Sequence, residues 1–239
     1  MVSVVDRSPL QLMALHIDTL FCCDPDGRLR GVNEAGEPSA PRFYMGRTHA
    51  GNVWRFRYDL PAATVEKLER LCQAEPLTSD LASLPQNYAA LRALLQEHAP
   101  IKNEYRGPAY WIPEDSEPAV PVVLISETNA ELLRAGFSWA LPLPPDKNLG
   151  PFAAAIEQDS AVSLCFCSRR PAQATEAGLE TLAAFRGKGY ATATVAKWAA
   201  EVRRMNCLPM YSTSWDNLAS QAVARKLKMV CYGEDWSIQ

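Results

Sequence analysis

From about residue 120 to residue 239, short apolar runs alternate with segments of helical period, and a turn or cap residue marks each change. VVLI at 122–125 reads as a buried-type strand. SETNAELLRAG reads as a helix that starts at Ser126 and stops at Gly136, and FSWALPL as a strand before the turn PPDKNLG. PFAAAIEQDSAVSLCFC gives two strands around Gln158-Asp159-Ser160. TEAGLETLAAF gives another, from Glu176 to about Ala183. A helix over about 189–205 follows, then CLPMYSTSW as strand, NLASQAVARKLKM as helix and VCYGEDW as a last strand. Such alternation restricts this part of the chain to a mixed α/β architecture.

The preceding part is less regular and reads as α+β. Residues 16–60 read as β structure: HIDTLFC alternates, DPDGR is a turn signal, and RFYMGRT and VWRFRYDL are strand-like. Pro61 fits the first turn of a helix over about 62–74, with Val65, Leu68 and Leu71 at helical spacing. A second helix is expected over 86–98, with Tyr88, Leu91, Leu94 and Leu95 as its stripe. The stretch GPAYWIPEDSEPAVP (107–121) carries four prolines and three acidic residues. It marks a boundary between a region 1–115 and a domain 116–239, although one long loop inside a single fold would look the same.

With 24 Lys and Arg against 27 Asp and Glu, the net charge of −3 gives no basis for a general nucleic-acid binder. The arginines interleaved with aromatics in RFYMGRTHAGNVWRFRYDL are explained more simply by strand alternation, with Arg47, Arg55 and Arg57 on a wet face. No apolar run is long enough to span a membrane, and the N-terminus is a poor signal peptide. The seven scattered cysteines lack a Cys-x-x-Cys pair and are odd in number, which favours reduced thiols and a cytoplasmic location. His16, His49 and His98 stand far apart in sequence and read as packed or surface residues, so no metal is expected. Cys165 and Cys167 share one face of a strand with no histidine nearby in sequence; they read as small packing groups more readily than as nucleophiles. Trp198 and Trp215 read as packing residues, with Trp215 alternatively lining an acceptor site.

The chemistry concentrates at Arg186-Gly187-Lys188-Gly189-Tyr190-Ala191, which follows a strand and opens a helix. The first turn of a helix presents unpartnered N–H groups and a partly positive end, and glycine lets the backbone close around a ligand. A phosphate or pyrophosphate held by main-chain donors fits this join. So does a plain turn with two solvated cations. A Walker-type loop and a Gly-x-Gly-x-x-Gly fingerprint both fail on spacing, the second because Thr192 stands where a third glycine is needed.

The pattern Arg-x-x-Gly-x-Ala, Arg186 to Ala191, resembles the acyl-CoA pyrophosphate loop of the GNAT superfamily of N-acetyltransferases. TEAGLETLAAF upstream resembles that family's central strand, and YSTSWDNLASQAVARKLKM (211–229) its next strand and helix. The resemblance covers roughly 120–239. It implies a mixed, mostly antiparallel sheet flanked by helices, whose central strands CLPMYSTSW and LETL splay apart. It also implies acetyl-CoA as co-substrate, with the pyrophosphate on the amides of Gly187, Lys188, Gly189, Tyr190 and Ala191, beside Arg186, and with Thr192 adding a hydroxyl. Main-chain groups of Thr181, Leu182 and Ala183 would meet the pantetheine arm, as an added strand does at a sheet edge. Asn217 and Ser220 stand where the family contacts the cofactor arm, while capping of the last helix by Asp216 or Asn217 is an equal reading for Asn217.

The implied reaction is direct acetyl transfer in a ternary complex to an amine of a small molecule, or of a peptide. The amine must first lose a proton. Glu176 and Glu180 lie four apart on one strand and so share a face; either could be the base, with Glu176 first because the family places an acid near the start of this strand. An exposed or salt-bridged glutamate is the plain alternative. The chain departs from the family at Ala224, where many members carry a tyrosine close to the coenzyme sulfur, and at Lys228, where a glycine is usual. Tyr211, Ser212, Ser214 or a water are substitutes for the missing acid. A non-catalytic acyl-CoA-binding regulatory module is the rival reading. The N-terminal region is expected to shape the acceptor pocket or to form a subunit contact, including that of a homodimer.

Overall fold

The computed structural model describes residues 7–114, 120–141, 143 and 150–239. The boundary expected at 115/116 and the turn at 144–149 lie outside the described residues. The chain divides into two compact units. The first holds the chain up to Tyr110 together with Ser212–Leu218 and Cys231–Gln239. The second holds Trp111–Tyr211 and Ala219–Val230.

The first unit opens with helix α1, Pro9–Leu20, where alternation had pointed to a strand. Ser8 and Gln11 form a reciprocal capping box and Pro9 opens the first turn, so the helix start is strongly determined. Leu12, Met13, His16, Ile17 and Leu20 are buried at helical spacing, and the apparent alternation of 16–20 is part of that stripe. Strands β1 (Phe21–Cys23) and β2 (Leu29–Val32) form a small hairpin. Strands β3 (Phe43–Thr48) and β4 (Gly51–Phe56), the helices α2 (Ala62–Gln73) and α3 (Tyr88–His98), and strand β5 (Glu104–Trp111) follow. Strand β5 runs through Gly107-Pro108, inside the stretch expected to be a linker or loop.

The last strand of the chain, β11 (Val230–Ile238), pairs antiparallel with β3, which pairs antiparallel with β4. Phe43, Met45, Phe56, Leu68, Leu91 and Trp236 form the core under α2 and α3. Arg47 was expected on a wet face, but it is buried against Glu234 of β11. A charged side chain is tolerated there only because it meets an opposite charge on the neighbouring strand.

In the second unit, β6 (Val122–Ile125), β7 (Phe152–Glu157), β8 (Ser160–Cys167) and β9 (Ala174–Thr181) form antiparallel neighbours in that order, and β10 (Leu208–Ser212) joins β9 in parallel. The fold is thus mixed α/β with a mostly antiparallel sheet, as expected. Helices α4 (Tyr190–Arg204) and α5 (Leu218–Lys226) complete it. Buried Ala153 and Ala155 of β7 and Ala193, Ala196 and Ala199 of α4 are small, which suits a close approach of helix to sheet. Three local expectations need correction. Strand β6 is an edge with Val123 and Leu124 partly exposed, not a buried strand. The expected helix from Ser126 shortens to one 3-10 turn, Ala130–Leu133, because Asn129 turns back to accept from the Ser126 N–H and to donate to the Leu124 carbonyl. FSWALPL forms a 3-10 turn at Ser138–Ala140 in place of a strand, with Phe137 and Ala140 buried beneath it.

Candidate functional site

Strands β9 and β10 pair at Ala174–Leu208, Thr175–Pro209 and Glu176–Met210, and the pairing stops there. Strand β9 continues to Thr181 on its β8 side, while β10 continues to Ser212. The N–H of Leu182 donates to Val162 and the N–H of Ser168 to Glu176, so even-numbered residues of β9 bond to β8. The N–H and C=O groups of Ala177, Leu179 and Thr181 therefore face the other edge, where β10 has left the ladder. Two parallel strands part at Glu176 and leave a stretch of sheet edge open.

Beyond β9 the chain makes a 3-10 turn, Ala183–Phe185, and enters α4 through Gly187 and Gly189 at φ of 80° and 89°. Only glycine takes these angles without strain, and a Cβ at either position would meet no atom within 4 Å, so the space above the loop is open. Among the described residues, the N–H groups of Gly187 through Thr192 donate to no protein acceptor. The first bond of α4 runs from Ala193 to the Gly189 carbonyl. Side chains fix the loop from outside: the Tyr190 hydroxyl bonds to Glu157, which raises its pKa, Phe185 and Tyr190 meet edge-on at 6.3 Å, and Lys188 Nζ lies 5.0 Å from the Phe185 ring centre. Beneath, the Ser163 hydroxyl contacts those of Thr181 at 2.8 Å and Thr194 at 3.3 Å, tying β8, β9 and α4 together.

Main-chain contacts were expected at Thr181, Leu182 and Ala183. The Leu182 N–H is already given to Val162 and its carbonyl to Phe185. The Ala183 carbonyl accepts from Arg186, and the Thr181 carbonyl takes the Arg186 side chain at 3.2 Å. The 3-10 turn thus engages these carbonyls, while the Thr181 N–H stays on the open edge with the main chain of Ala177 and Leu179. How far that edge extends depends on where β10 leaves.

Glu176 and Glu180 do share a face of β9, the one bearing Leu164 and Phe166 of β8. Glu176 is buried at the point where the strands part. Glu180 is exposed and accepts a hydrogen bond from the indole of Trp139 at 3.2 Å, with Trp139 packed edge-on against Phe166. Trp139 drew no attention in the sequence. Its link to Glu180 spans 41 positions, and nothing local foretells it.

Ala224 is buried in α5. One turn earlier the Ser220 hydroxyl pairs with the hydroxyl of Tyr211, the first β10 residue beyond the paired segment. Ser214 spends its hydroxyl on Asp216, and Asn217 is exposed with its N–H on the Ser214 carbonyl. Lys228 takes φ of 50°, the left-handed conformation for which the expected glycine is suited. Cys165 and Cys167 are buried, and burial pushes both thiols up, as packing groups rather than nucleophiles. Trp198 is fully buried, and Trp215 donates to Glu234. His16 is buried and His49 exposed, and no group of three metal-ligating side chains occurs among the described residues. Nor is any described helix long and apolar enough to cross a membrane.

No known family profile matches the sequence, and no curated protein matches it. Several solved structures are similar in fold at low identity. An acetyltransferase of the GNAT family from Colwellia psychrerythraea is 9% identical over 91% of this chain and 79% of its own, with a TM-score of 0.47. A GCN5-related N-acetyltransferase-like protein from Streptococcus suis is 13% identical over 84% and 85%, with a TM-score of 0.45. A GNAT-family protein from Novosphingobium aromaticivorans is 16% identical over 58% of this chain, which spans 65% of that protein's length, with a TM-score of 0.46.

Proposed function

We propose that this chain is an acetyl-CoA-dependent N-acetyltransferase that acts on a primary amine of a small molecule by direct transfer. The observation that carries the reading is the end of the β9–β10 ladder at Glu176–Met210, in the same unit as a helix mouth whose amides have no protein acceptor. The two features fit the two ends of an acyl-CoA: an open strand edge suits an amide-bearing arm, and a ring of N–H groups at a positive helix end suits a diphosphate. Acetyl-CoA, when bound, would supply an acyl thioester.

The chain's own groups divide the remaining work. The N–H groups of Gly187 through Thr192 hold the diphosphate, with Lys188 adding positive charge. Ala177 and Leu179 offer the strand edge. Glu176 takes the proton that the ammonium must lose before it can attack, from a buried position at the point where the strands part. Tyr211 of β10 is paired with Ser220, which lies one helical turn before Ala224, the place of the missing tyrosine, and Tyr211 returns a proton to the departing thiolate. The seven free cysteines suit a reducing compartment, and we place the protein in the cytoplasm.

The test is release of free thiol from acetyl-CoA in the presence of a panel of small amines, with binding of acetyl-CoA followed by thermal shift. Turnover on at least one amine supports the transferase. Tight binding without turnover on any acceptor assigns the regulatory module instead, a reading that Ala224 favours. Absence of acetyl-CoA binding overturns both.

A further inference from the structure

The first unit contains a cavity of about 650 Å³ between the turn that joins β1 to β2, strand β4 and helix α2. We propose that it binds a free α-amino acid with an apolar or aromatic side chain.

Its size falls in the range of small-molecule sites. The choice of ligand rests on its charges. Arg28 and Arg55 line the cavity, and so do Asp26 and Glu69, yet cation and carboxylate do not pair with each other. Among the described residues the Arg28 guanidinium makes no hydrogen bond or ion pair; its Nη1 is closed off from solvent without an acceptor, and its Cζ lies over the Phe56 ring, 5.9 Å from the ring centre. Arg55 spends one bond on the Trp54 carbonyl at 2.9 Å. The carboxylates of Asp26 and Glu69 accept no hydrogen bond among the described residues. Asp24, two residues from Asp26, is by contrast fully engaged: it accepts from the N–H groups of Asp26 and Arg28 and from Arg30. Asp24 builds the turn, and the cavity's own charges are left over.

A simple anion would meet two carboxylates in this wall, and a simple cation two guanidiniums. A zwitterion satisfies both signs at once. An α-carboxylate suits the planar fork of Arg28 or Arg55, which can turn to accept it in bidentate form. An α-ammonium suits Glu69 or Asp26. The partly buried Trp54 offers its ring to an apolar side chain. The turn is preformed, since Asp24 and Arg28 bond each other's main chain and the Gly27 N–H closes on the Asp24 carbonyl, so little ordering is needed on binding.

The experiment is titration calorimetry and thermal shift on the full chain with L-phenylalanine and L-leucine. It is repeated with 3-phenylpropionate, which lacks the ammonium, and with phenethylamine, which lacks the carboxylate. Saturable binding of the amino acids is expected, with each analogue weaker by about tenfold or more. Arg28→Met and Glu69→Gln should each weaken L-phenylalanine by a similar factor while the stabilisation by acetyl-CoA stays as in the parent. Absence of amino-acid binding at about 10 mM, a millimolar limit that corresponds to very weak affinity, overturns the proposal. So does 3-phenylpropionate or phenethylamine binding as well as L-phenylalanine. Amino-acid binding unchanged in both variants would place the ligand elsewhere and overturn it too. The comparison of ligands on the parent protein stands even where a variant fails to fold.

Discussion

Arg47 places its Nη1 2.6 Å from Oε2 of Glu234, with both side chains closed off from solvent on neighbouring strands. Arg106 pairs with the other carboxylate oxygen, which also takes the Trp215 indole N–H at 2.9 Å, and Arg47 donates onward to the Ser83 carbonyl at 2.9 Å. One carboxylate thus gathers β3, β5, β11 and the loop around Ser83. Removing one member of such a cluster leaves charge buried without its full complement. Arg47→Met is therefore expected to lower stability by about 3 kcal/mol or more, read from urea denaturation. A loss below about 1 kcal/mol would mean that the pair behaves like a surface one.

Lys228 ends α5 in the left-handed region, with Met229 N–H on Ala224 and Lys228 N–H on Arg225. That is the bond pattern of a helix end closed by a residue suited to glycine. Lys228→Gly is expected to raise stability by about 1 kcal/mol, because an L-residue is strained there. Lys228→Ala should give no such gain, since the strain comes from any Cβ. Equal effects of the two would refute this account.

Gly189→Ala would keep the space over the loop but strain a backbone at φ of 89°. A stability cost of about 1–2 kcal/mol is expected, together with at least tenfold weaker acetyl-CoA binding as the amides turn. Gly36→Ala is the control: Gly36 has φ of 80° and equally open surroundings, but belongs to the first unit, whereas Gly189 belongs to the second. It should cost similar stability and leave acetyl-CoA affinity alone.

Glu176→Gln removes a base without removing volume. Turnover should fall by about 100-fold or more at neutral pH and most at low pH, where the amine is held protonated, while acetyl-CoA affinity stays within a few-fold. A pH profile parallel to that of the parent would exclude Glu176 as the base. Glu180→Gln serves as comparison, because Glu180 is exposed and bonded to Trp139.

Asp59 accepts two hydrogen bonds from Arg57, at 2.7 and 3.0 Å, and that pairing first of all holds its carboxyl below the ordinary aspartate range. A depressed folded value adds stability above the unfolded pKa, and that stability is lost as pH falls through the folded one. The carboxyl should titrate low by NMR, and Arg57→Gln should return it to the ordinary value. Because the side chain is 42% exposed, the effect on stability should be small. An unchanged titration in Arg57→Gln would remove this pair as the cause.

Local signals in the chain settled a good part of the outcome. The stripes of α2 and α3 place Val65, Leu68, Leu91 and Leu95 in the core, as their spacing requires. Gln158 and Asp159, both at positive φ, turn β7 into β8 where the strand pattern breaks. Gly187 and Gly189 open α4 where the sequence puts them. Signals of the same local kind were present but outweighed elsewhere: the Ser8–Gln11 capping box fixes α1, while alternation in HIDTLFC pointed to a strand. At Ser126 the cap signal was real, but Asn129 used it to close a turn.

The sequence by itself determined the order of most elements, the helix mouth at 187–192 and the absence of a strong charge bias. Each depends on residues within a few positions of one another. Tertiary structure alone decided that β11 returns to pair with β3, that Arg47 is buried, that β10 leaves β9 at Glu176 and that Trp139 reaches Glu180. A strand's period tells which residues share a face but not which strand lies beside it or where their ladder ends. Partner and ladder length are set by packing between segments far apart in the chain, and the open edge that could hold a ligand is the place where one such partnership stops.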